Sequence, residues 1–406
     1  MKEISGGICA ATGFTASGIH CGIKPTSNPS RNDLALIYSE VPCHAAGMFT
    51  TNKVKADPVW LDIESLKNGQ AQAVIANSYI ANACAPEGME RAKKTQELAA
   101  KALNVKTDDV IVSSTGVIGV SQNVDAIEKG LPEAVSKLSK DGSDDAAHAI
   151  MTTDTVKKEF AYELTLGGKT VCIGGISKGS GMIHPHMGTM LCYITTDAAI
   201  SVNMLNAAQH YVVERTFNRI SVDGDMSTND TCVVLANGMA GNSEITTEDD
   251  DFYTFRNALM ELCTNLAKNM AADGEGASHL ITCNVHGASD EASAEVIGKS
   301  VINSSLTKAA IFGADANWGR VLCAMGYSGA DFDPDKTDIS FASENGSILV
   351  CKGGKGVDFD EDKAKEVLSA KEVIIDIEMG EGSAQAVCWG CDLTYEYVKI
   401  NGDYRT

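Results

Sequence analysis

The residues best suited to covalent chemistry lie in the segment 176–191, where a glycine-rich stretch leads into the pair Gly188-Thr189. Because glycine leaves its carbonyl carbon sterically open, the Thr189 hydroxyl can attack the Gly188 carbonyl and form an ester. Water would then release a new chain that begins with Thr189. The α-amine of that chain, with a reference pKa of about 7.7–8.0, can act as general base for its own hydroxyl. Many Gly-Thr pairs open strands without such chemistry, so the pair alone does not establish it.

Two other patterns are candidates for metal or redox chemistry, and the surrounding residues argue against both. Cys388 and Cys391 have the spacing of half a zinc site, but no second cysteine pair and no histidine accompany them, and the segment has the pattern of a strand. His184 and His186 precede the Gly-Thr pair without an acidic or thiol partner at a suitable local spacing. We therefore expect no metal site.

The elements that must position these residues alternate between strand and helix patterns along the chain. Such alternation predicts a mixed α/β protein of layered sheets and helices. The patterns predict strands over 34–38, 73–75, 110–112, 190–196 and 280–285, and helices over 90–103, 124–138, 204–218, 253–272 and 291–303.

A hairpin is predicted where alternating apolar residues at 160–166 meet the pair Gly167-Gly168 and a returning strand over 170–176. The Gly-Gly-Lys-Thr stretch in this turn is not a phosphate-binding loop, because Glu163 stands where that motif requires its first glycine. Beyond residue 303 the patterns predict mainly short strands.

Composition and charge restrict the partners. The 406 residues carry a formal net charge of −21; residues 1–188 have 18 Lys and Arg against 20 Asp and Glu, whereas residues 189–406 have 15 against 34. Such an acidic surface repels phosphate backbones, which argues against nucleic acid as a partner. Thirteen scattered cysteines suit a reducing compartment. With neither a signal-peptide pattern nor a membrane-length apolar stretch, we expect a cytoplasmic protein and no membrane partner.

Short motifs in a fixed order occur along nearly the whole chain. They are Gly22-Ile23-Lys24, Asp33-Leu34-Ala35-Leu36, Phe49-Thr50-Thr51-Asn52, Ser114-Thr115-Gly116-Val117-Ile118-Gly119, residues 150–155, Lys178-Gly179-Ser180-Gly181-Met182-Ile183, residues 194–198, Val222-Asp223-Gly224-Asp225, Asp273-Gly274-Glu275-Gly276-Ala277, residues 313–320, residues 389–394 and residues 401–406. These motifs and their order resemble those of the ornithine acetyltransferase family, the bifunctional glutamate/ornithine N-acetyltransferases of arginine biosynthesis. So many matches in sequence order do not arise by chance.

The resemblance implies a role for individual residues. Thr189 would be the nucleophile that carries the acetyl group after cleavage at Gly188-Thr189, and Thr115 with Gly116 would form the oxyanion hole. Substrate contacts would come from six residues: Thr152 (rather than Thr153), Lys178, Thr189, Glu275, Asn401 and Thr406. Lys178 suits a carboxylate and Glu275 an ammonium group, which fits an amino acid ligand.

The sequence departs from the family pattern at a few positions. Gly188 replaces the usual alanine, a change that does not obstruct cleavage. Tyr79 and Ile80 stand where the family typically has Gly-Asn, and His184 and His186 replace less basic residues; these four raise a question about substrate preference. Met226 replaces a usual threonine.

The sequence thus predicts an α/β protein of the ornithine acetyltransferase type with a second, smaller domain. It would cut itself into residues 1–188 and 189–406, stay together as two pairs of pieces, and move acetyl from N-acetylornithine to glutamate without a cofactor. Whether acetyl-CoA also serves as a donor is left open. Two alternatives remain: an aminopeptidase or amidase with the same N-terminal nucleophile, in which water accepts the acyl group, and a non-catalytic amino-acid-binding paralogue.

Overall fold

Two β-sheets form the framework of the protein in the computed structural model, which describes residues 1–25, 27–184 and 190–403. The strands are β1 (Lys2–Ile4), β2 (Phe14–Ile19), β3 (Leu34–Phe49), β4 (Gln70–Asn77), β5 (Val110–Ser114), β6 (Lys158–Leu166), β7 (Lys169–Lys178), β8 (Leu191–Thr196), β9 (Ile220–Ser221), β10 (Thr231–Ala236), β11 (Leu280–Ala288), β12 (Asp338–Ser343), β13 (Gly346–Lys352), β14 (Lys355–Gly356), β15 (Glu372–Glu378) and β16 (Ala384–Cys391).

Helices cover the faces of these sheets. They are α1 (Asp57–Ser65), α2 (Gly88–Leu103), α3 (Val124–Ser136), α4 (Ser143–Ala149), α5 (Val202–Arg215), α6 (Asp250–Ala272), α7 (Glu291–Asn303), α8 (Ser305–Phe312), α9 (Trp318–Gly326), α10 (Glu361–Leu368) and α11 (Tyr395–Asp403). None of the helices in the described ranges is long and apolar enough to cross a membrane.

The larger sheet has the order β1-β6-β7-β8-β10-β3-β4-β5, with β2 added to β3. Within it β8 and β10 run parallel to each other, and each pairs antiparallel with a strand of the first half of the chain, β7 and β3 respectively. The smaller sheet has the order β14-β13-β12-β15-β11-β16-β9. The protein therefore has the predicted mixed α/β architecture, with a second and smaller sheet.

Helix α6 joins the two sheets. It packs on β6 and β7 of the larger sheet and on β11 and β16 of the smaller one. Its buried stripe, which includes Phe255, Leu259, Leu262 and Leu266, belongs to the same apolar cluster as residues of both sheets. The Asp249 side chain caps the helix by accepting the Phe252 N–H, and the acidic first turn favours the positive end of the helix dipole.

The predicted elements agree well with the observed ones, but several short helices, including α1 and α4, were not predicted. Helix α7 has the predicted bounds, and the hairpin turns at Gly167 and Gly168, whose φ angles of 53° and 77° suit glycine. Residues 304–403, however, contain four helices, α8 to α11, in addition to the short strands. Each of these helices has only eight or nine residues, so its apolar periodicity is too brief to stand out in the sequence.

Candidate active site

A cavity of about 330 Å³ lies where β5 and β7 end, close to the start of β10. Six of the nine residues predicted for the site line it: Thr115, Gly116, Thr152, Lys178, Glu275 and Asn401. They come from five separate parts of the chain, which the fold brings together. The other three, Gly188, Thr189 and Thr406, lie outside the described residues, as does His186.

The loop after β5 presents Thr115 and Gly116 to this cavity. The Thr115 N–H is used internally, since it donates to the Asn77 carbonyl at 3.0 Å, and Val117 N donates to the Tyr79 carbonyl at 2.9 Å. Gly116, with φ of 127°, lies between these two bonds, and within the described chain its own N–H has no hydrogen-bond acceptor. A free N–H beside a threonine hydroxyl is the donor pair that an oxyanion requires.

Gly116 is required by its surroundings as well as by its φ angle. A Cβ atom at this position would lie 2.2 Å from the carbonyl carbon of Tyr79 and 2.7 Å from the amide nitrogen of Ile80. The loop can therefore pack this closely on the 79–80 backbone only with glycine. That close packing fixes the direction of the Gly116 N–H.

Asn229 holds this loop in place, and sequence reasoning missed it. Its side-chain amide donates to the carbonyls of Ala81, at 2.7 Å, and Ser114, at 2.8 Å, so it ties together the two loops on either side of Gly116. Asn229 also lines the cavity. Because Asn229 precedes β10, a residue of the second half of the chain supports the loop of the first half that carries Thr115 and Gly116.

Glu275 and Asn401 form the acidic wall of the cavity. Glu275 follows the C-terminal end of α6, where its N–H donates to the Ser180 carbonyl at 2.7 Å. Its carboxylate accepts a hydrogen bond of 2.8 Å from the Asn401 side-chain amide of α11. Gly181 leaves the space for this carboxylate, since a Cβ there would lie 2.4 Å from its carbon. One carboxylate with a neighbouring amide can bind an ammonium group.

Lys178 forms the basic wall and is almost completely buried, with 2% of its surface exposed. Its ammonium group donates to the Thr115 hydroxyl oxygen at 3.3 Å. Burial lowers the pKa of Lys178, and the carboxylates of Asp154, Asp230 and Glu275 counteract this.

A buried ion cluster of Asp154, Lys158 and Asp273 lies behind Lys178. The Lys158 ammonium bonds Asp154 Oδ1 and Asp273 Oδ2, each at 2.6 Å. Asp154 also accepts the N–H of Gly179, at 2.7 Å, and of Thr152, at 3.0 Å. Burial alone would raise the pKa of Asp154, but the two lysines and these hydrogen bonds lower it to about 2. The cluster thus fixes two cavity segments, and no sequence signal identified it.

Asp230, which precedes β10, is a second fully buried carboxyl group. Its Oδ1 accepts the Met190 N–H at 2.8 Å, and its Oδ2 has no hydrogen-bond partner among residues 1–25, 27–184 and 190–403. Burial raises the pKa of Asp230 well above the usual value. Met190 is the residue after Thr189, so Asp230 anchors the start of the chain that cleavage would create.

Two of the departures from the family pattern, Tyr79 and Ile80, pack with their backbone against Gly116 but do not line the cavity themselves. The Tyr79 ring instead stacks on the Arg31 guanidinium, with 5.3 Å between the guanidinium carbon and the ring centroid. Arg31 in turn donates to the carbonyls of Met151 and Thr152. The Tyr79 side chain is therefore linked through Arg31 to the loop that carries Thr152.

The remaining candidates for metal binding in the described part of the chain are His184 and the pair Cys388 and Cys391. His184 contacts Asn303, with 3.0 Å between the amide nitrogen and Nδ1. Cys388 and Cys391 lie in β16, as the strand pattern predicted, and both are buried. Within residues 1–25, 27–184 and 190–403, no group of three or more His, Cys, Asp and Glu side chains could hold a metal ion.

Comparison with known proteins identifies the family. The ArgJ family model matches residues 15–406. The chain is 50% identical to the arginine biosynthesis bifunctional protein ArgJ of Caldanaerobacter subterraneus subsp. tengcongensis, over all of both chains, and 43% identical to that of Bacillus subtilis, over all of this chain and 98% of the relative. A crystal structure of ArgJ from Bacillus halodurans matches 52% of this chain and 97% of its own, at 43% identity and a TM-score of 0.49. This chain belongs to the ArgJ family.

Proposed function

We propose that this protein is a glutamate N-acetyltransferase and ornithine acetyltransferase of arginine biosynthesis. It transfers the acetyl group of N-acetylornithine to glutamate through an acetyl ester on Thr189. The observation that carries the proposal is the meeting of Thr115, Gly116, Lys178 and Glu275 in one cavity of a chain that belongs to the ArgJ family. That cavity combines oxyanion donors with groups of both charges, which suits acyl transfer between amino acids.

The reaction begins with self-cleavage. The Thr189 hydroxyl attacks the Gly188 carbonyl, the peptide nitrogen leaves as the α-amine of Thr189, and water hydrolyses the resulting ester. The pieces are residues 1–188 and 189–406. We expect them to stay together, because β8 and β10 of the second piece pair with β7 and β3 of the first in one sheet. The proposed assembly contains two of each piece.

Acetyl transfer then proceeds in two balanced steps. The Thr189 hydroxyl attacks the acetyl carbonyl of N-acetylornithine, and the α-amine of Thr189 takes the hydroxyl proton. The bond between the acetyl carbon and the substrate nitrogen then breaks, and ornithine leaves with that proton on its nitrogen. The uncharged α-amine of glutamate then attacks the ester carbonyl and the bond to the Thr189 oxygen breaks. The proton that the glutamate nitrogen loses passes to that oxygen, which regenerates the hydroxyl and releases N-acetylglutamate. Each tetrahedral intermediate carries a negative oxygen for the donors of Thr115 and Gly116 to stabilise. Splitting one difficult amide exchange into two acyl transfers is what covalent catalysis provides.

The walls of the cavity would hold the amino acid. The Glu275 carboxylate, oriented by Asn401, suits an ammonium group of the substrate. Thr152 and Thr406 would complete the contacts, as in the family pattern. The mechanism needs no cofactor, acetyl-CoA remains a candidate second donor, and the proposed location is the cytoplasm.

Mass spectrometry of the purified protein tests this function. We expect pieces of 188 and 218 residues, the second starting with Thr189 and gaining one acetyl mass on brief incubation with N-acetylornithine. Glutamate should remove that mass and yield N-acetylglutamate. Thr189→Ala should remain both uncut and inactive, whereas Thr189→Ser should cut and turn over slowly. Release of acetate without glutamate would favour the amidase alternative, and an intact chain that binds ligand without turnover would favour the non-catalytic one.

A further inference from the structure

The Lys178 ammonium is directed at a catalytic group of the protein itself. It donates to Thr115 Oγ1 at 3.3 Å, inside the wall of the cavity. An ammonium group has three donors and no acceptor, so it can occupy only a lone pair of the hydroxyl oxygen. The single proton of the Thr115 hydroxyl must then point elsewhere. This arrangement leaves that proton available to the cavity, where the oxyanion develops.

The protonation state of Lys178 decides whether this arrangement holds. A neutral amine has a lone pair, so it can accept the Thr115 proton and turn the hydroxyl away from the cavity. Among the described residues, the carboxyl groups of Asp154, Asp230 and Glu275 act on Lys178 and favour its charged form, whereas the neighbouring Lys158 opposes it.

Asp154 has the strongest favourable effect on Lys178 among these groups, and its position is fixed. It is held at 2.6 Å by Lys158 and at 2.7 Å by the N–H of Gly179, the residue next to Lys178. Lys158 is held on its other side by Asp273. The carboxylate therefore cannot move away from Lys178 without breaking a buried ion pair.

We propose that Lys178 is a positioning residue of the oxyanion hole: its ammonium fixes the Thr115 hydroxyl as a donor, and Asp154, held by Lys158 and by the N–H of Gly179, is the counter-charge of that ammonium. This inference rests on the proposed acetyl transfer. It differs from the expectation that Lys178 binds the substrate carboxylate, because the two roles affect different kinetic constants.

Lys178→Met separates the two roles. If Lys178 orients Thr115, kcat should fall by about 100-fold, the lower end for losing one oxyanion donor, in both acetylation and deacetylation, with KM nearly unchanged. A carboxylate clamp would instead raise KM for N-acetylornithine and glutamate and leave kcat nearly intact. Rates are expressed per mole of cut chain, as measured by mass. A raised KM with a nearly intact kcat in Lys178→Met would overturn the proposal.

A double-mutant cycle tests whether the effect passes through Thr115. Thr115→Val removes the hydroxyl and keeps the branched shape. In that background Lys178→Met should lower kcat by less than about threefold, because the group that it orients is already absent. Full additivity of the two effects would show that Lys178 acts independently of Thr115, which contradicts the proposal.

The pH profile gives a third readout that a purely structural role would not change. Asp154→Asn removes the carboxylate that favours the charged form, so it lowers the pKa of Lys178. The loss of kcat/KM at high pH should therefore begin at a lower pH than in the wild type. Asp33→Asn is the matched control, since Asp33 is also buried and hydrogen-bonded, but to the N–H groups of Cys21, Gly22 and Ile23 rather than to a residue next to Lys178.

An unmoved basic limb in Asp154→Asn, or an equal shift in Asp33→Asn, would overturn the proposal. This readout also decides the question if Lys178→Met does not fold. Failure of the proposed function is recognised separately: the wild-type protein would then not transfer acetyl from N-acetylornithine to glutamate at all. If the wild type is active and Lys178→Met changes only KM, the role proposed for Lys178 is refuted and the proposed function stands.

Discussion

Gly116→Ala should inactivate the enzyme by moving one backbone N–H. The added Cβ would lie 2.2 Å from the Tyr79 carbonyl carbon and 2.3 Å from its oxygen, where ordinary contact is 3.4–4 Å. Hydrogen bonds of the neighbouring Thr115 and Val117 backbone hold the loop against residues 77 and 79. The loop must therefore shift by roughly 1 Å, and a misplacement of that size costs about 100-fold in rate.

Two contributions to the effect of Gly116→Ala can be separated. Loss of the N–H from the oxyanion site should lower kcat by about 10²–10³-fold, or about 2.7–4 kcal/mol. The φ angle of 127° adds strain of about 1–3 kcal/mol for a residue other than glycine, which lowers the free energy of unfolding. The kinetic loss should appear in both half-reactions, because both pass through an oxyanion.

Gly119→Ala is the matched control in the same loop. Its φ angle is 81°, also positive, but a Cβ there meets no atom within 4 Å. It should lower stability by about 1–2 kcal/mol and leave kcat close to that of the wild type. The assays are acetyl transfer kinetics, mass spectrometry of the acetylated piece, and thermal unfolding. The reasoning is refuted if Gly116→Ala keeps a kcat within tenfold of the wild type, or if Gly119→Ala is equally inactive.

Three further changes test other contacts. Gly181→Ala pushes a Cβ into the Glu275 carboxylate, so initial-rate kinetics should show KM rising at least about tenfold for both amino acids. Tyr79→Gly removes the ring that stacks on Arg31, so KM for N-acetylornithine should rise severalfold in initial-rate kinetics. The melting temperature should change little, because the lost stacking energy of about 0.5–1 kcal/mol is offset by the release of backbone strain at the Tyr79 φ angle of 76°. Burial raises the pKa of Asp62, so its carboxyl group keeps its proton to a higher pH in the folded state than in the unfolded state. The free energy of unfolding of the wild type should therefore fall as the pH rises above about 4, the pKa of an aspartic acid in the unfolded chain. Thermal unfolding should therefore show that the stability of Asp62→Asn improves relative to the wild type as the pH rises. An unchanged KM would contradict the expectation for Gly181→Ala and for Tyr79→Gly. A stability difference that does not depend on pH would contradict the expectation for Asp62→Asn.

Local structure was accessible from the sequence where a segment carries its own signals. Helix α7 has the predicted bounds because Asp290 caps its N-terminus, accepting the Ser293 N–H at 2.8 Å, and its apolar residues recur at helical spacing. The β6–β7 hairpin was predictable because its turn requires two positive φ angles, which the glycine pair supplies. The short helices after residue 303 were missed because brief elements depend on tertiary packing more than on periodicity.

The site shows the limit of such reasoning. The sequence by itself determined that a Gly-Thr pair can cleave and that the ordered motifs belong to acetyl-transferring relatives. It gave no sign that Lys178 meets Thr115, 63 residues earlier, or that Lys158 meets Asp273, 115 residues later. Only the tertiary structure decided these contacts, because buried charges are stable solely where the fold brings their partners within hydrogen-bond distance. The residue type determines whether a group donates or accepts a hydrogen bond, and the packing of the chain determines which atom is its partner.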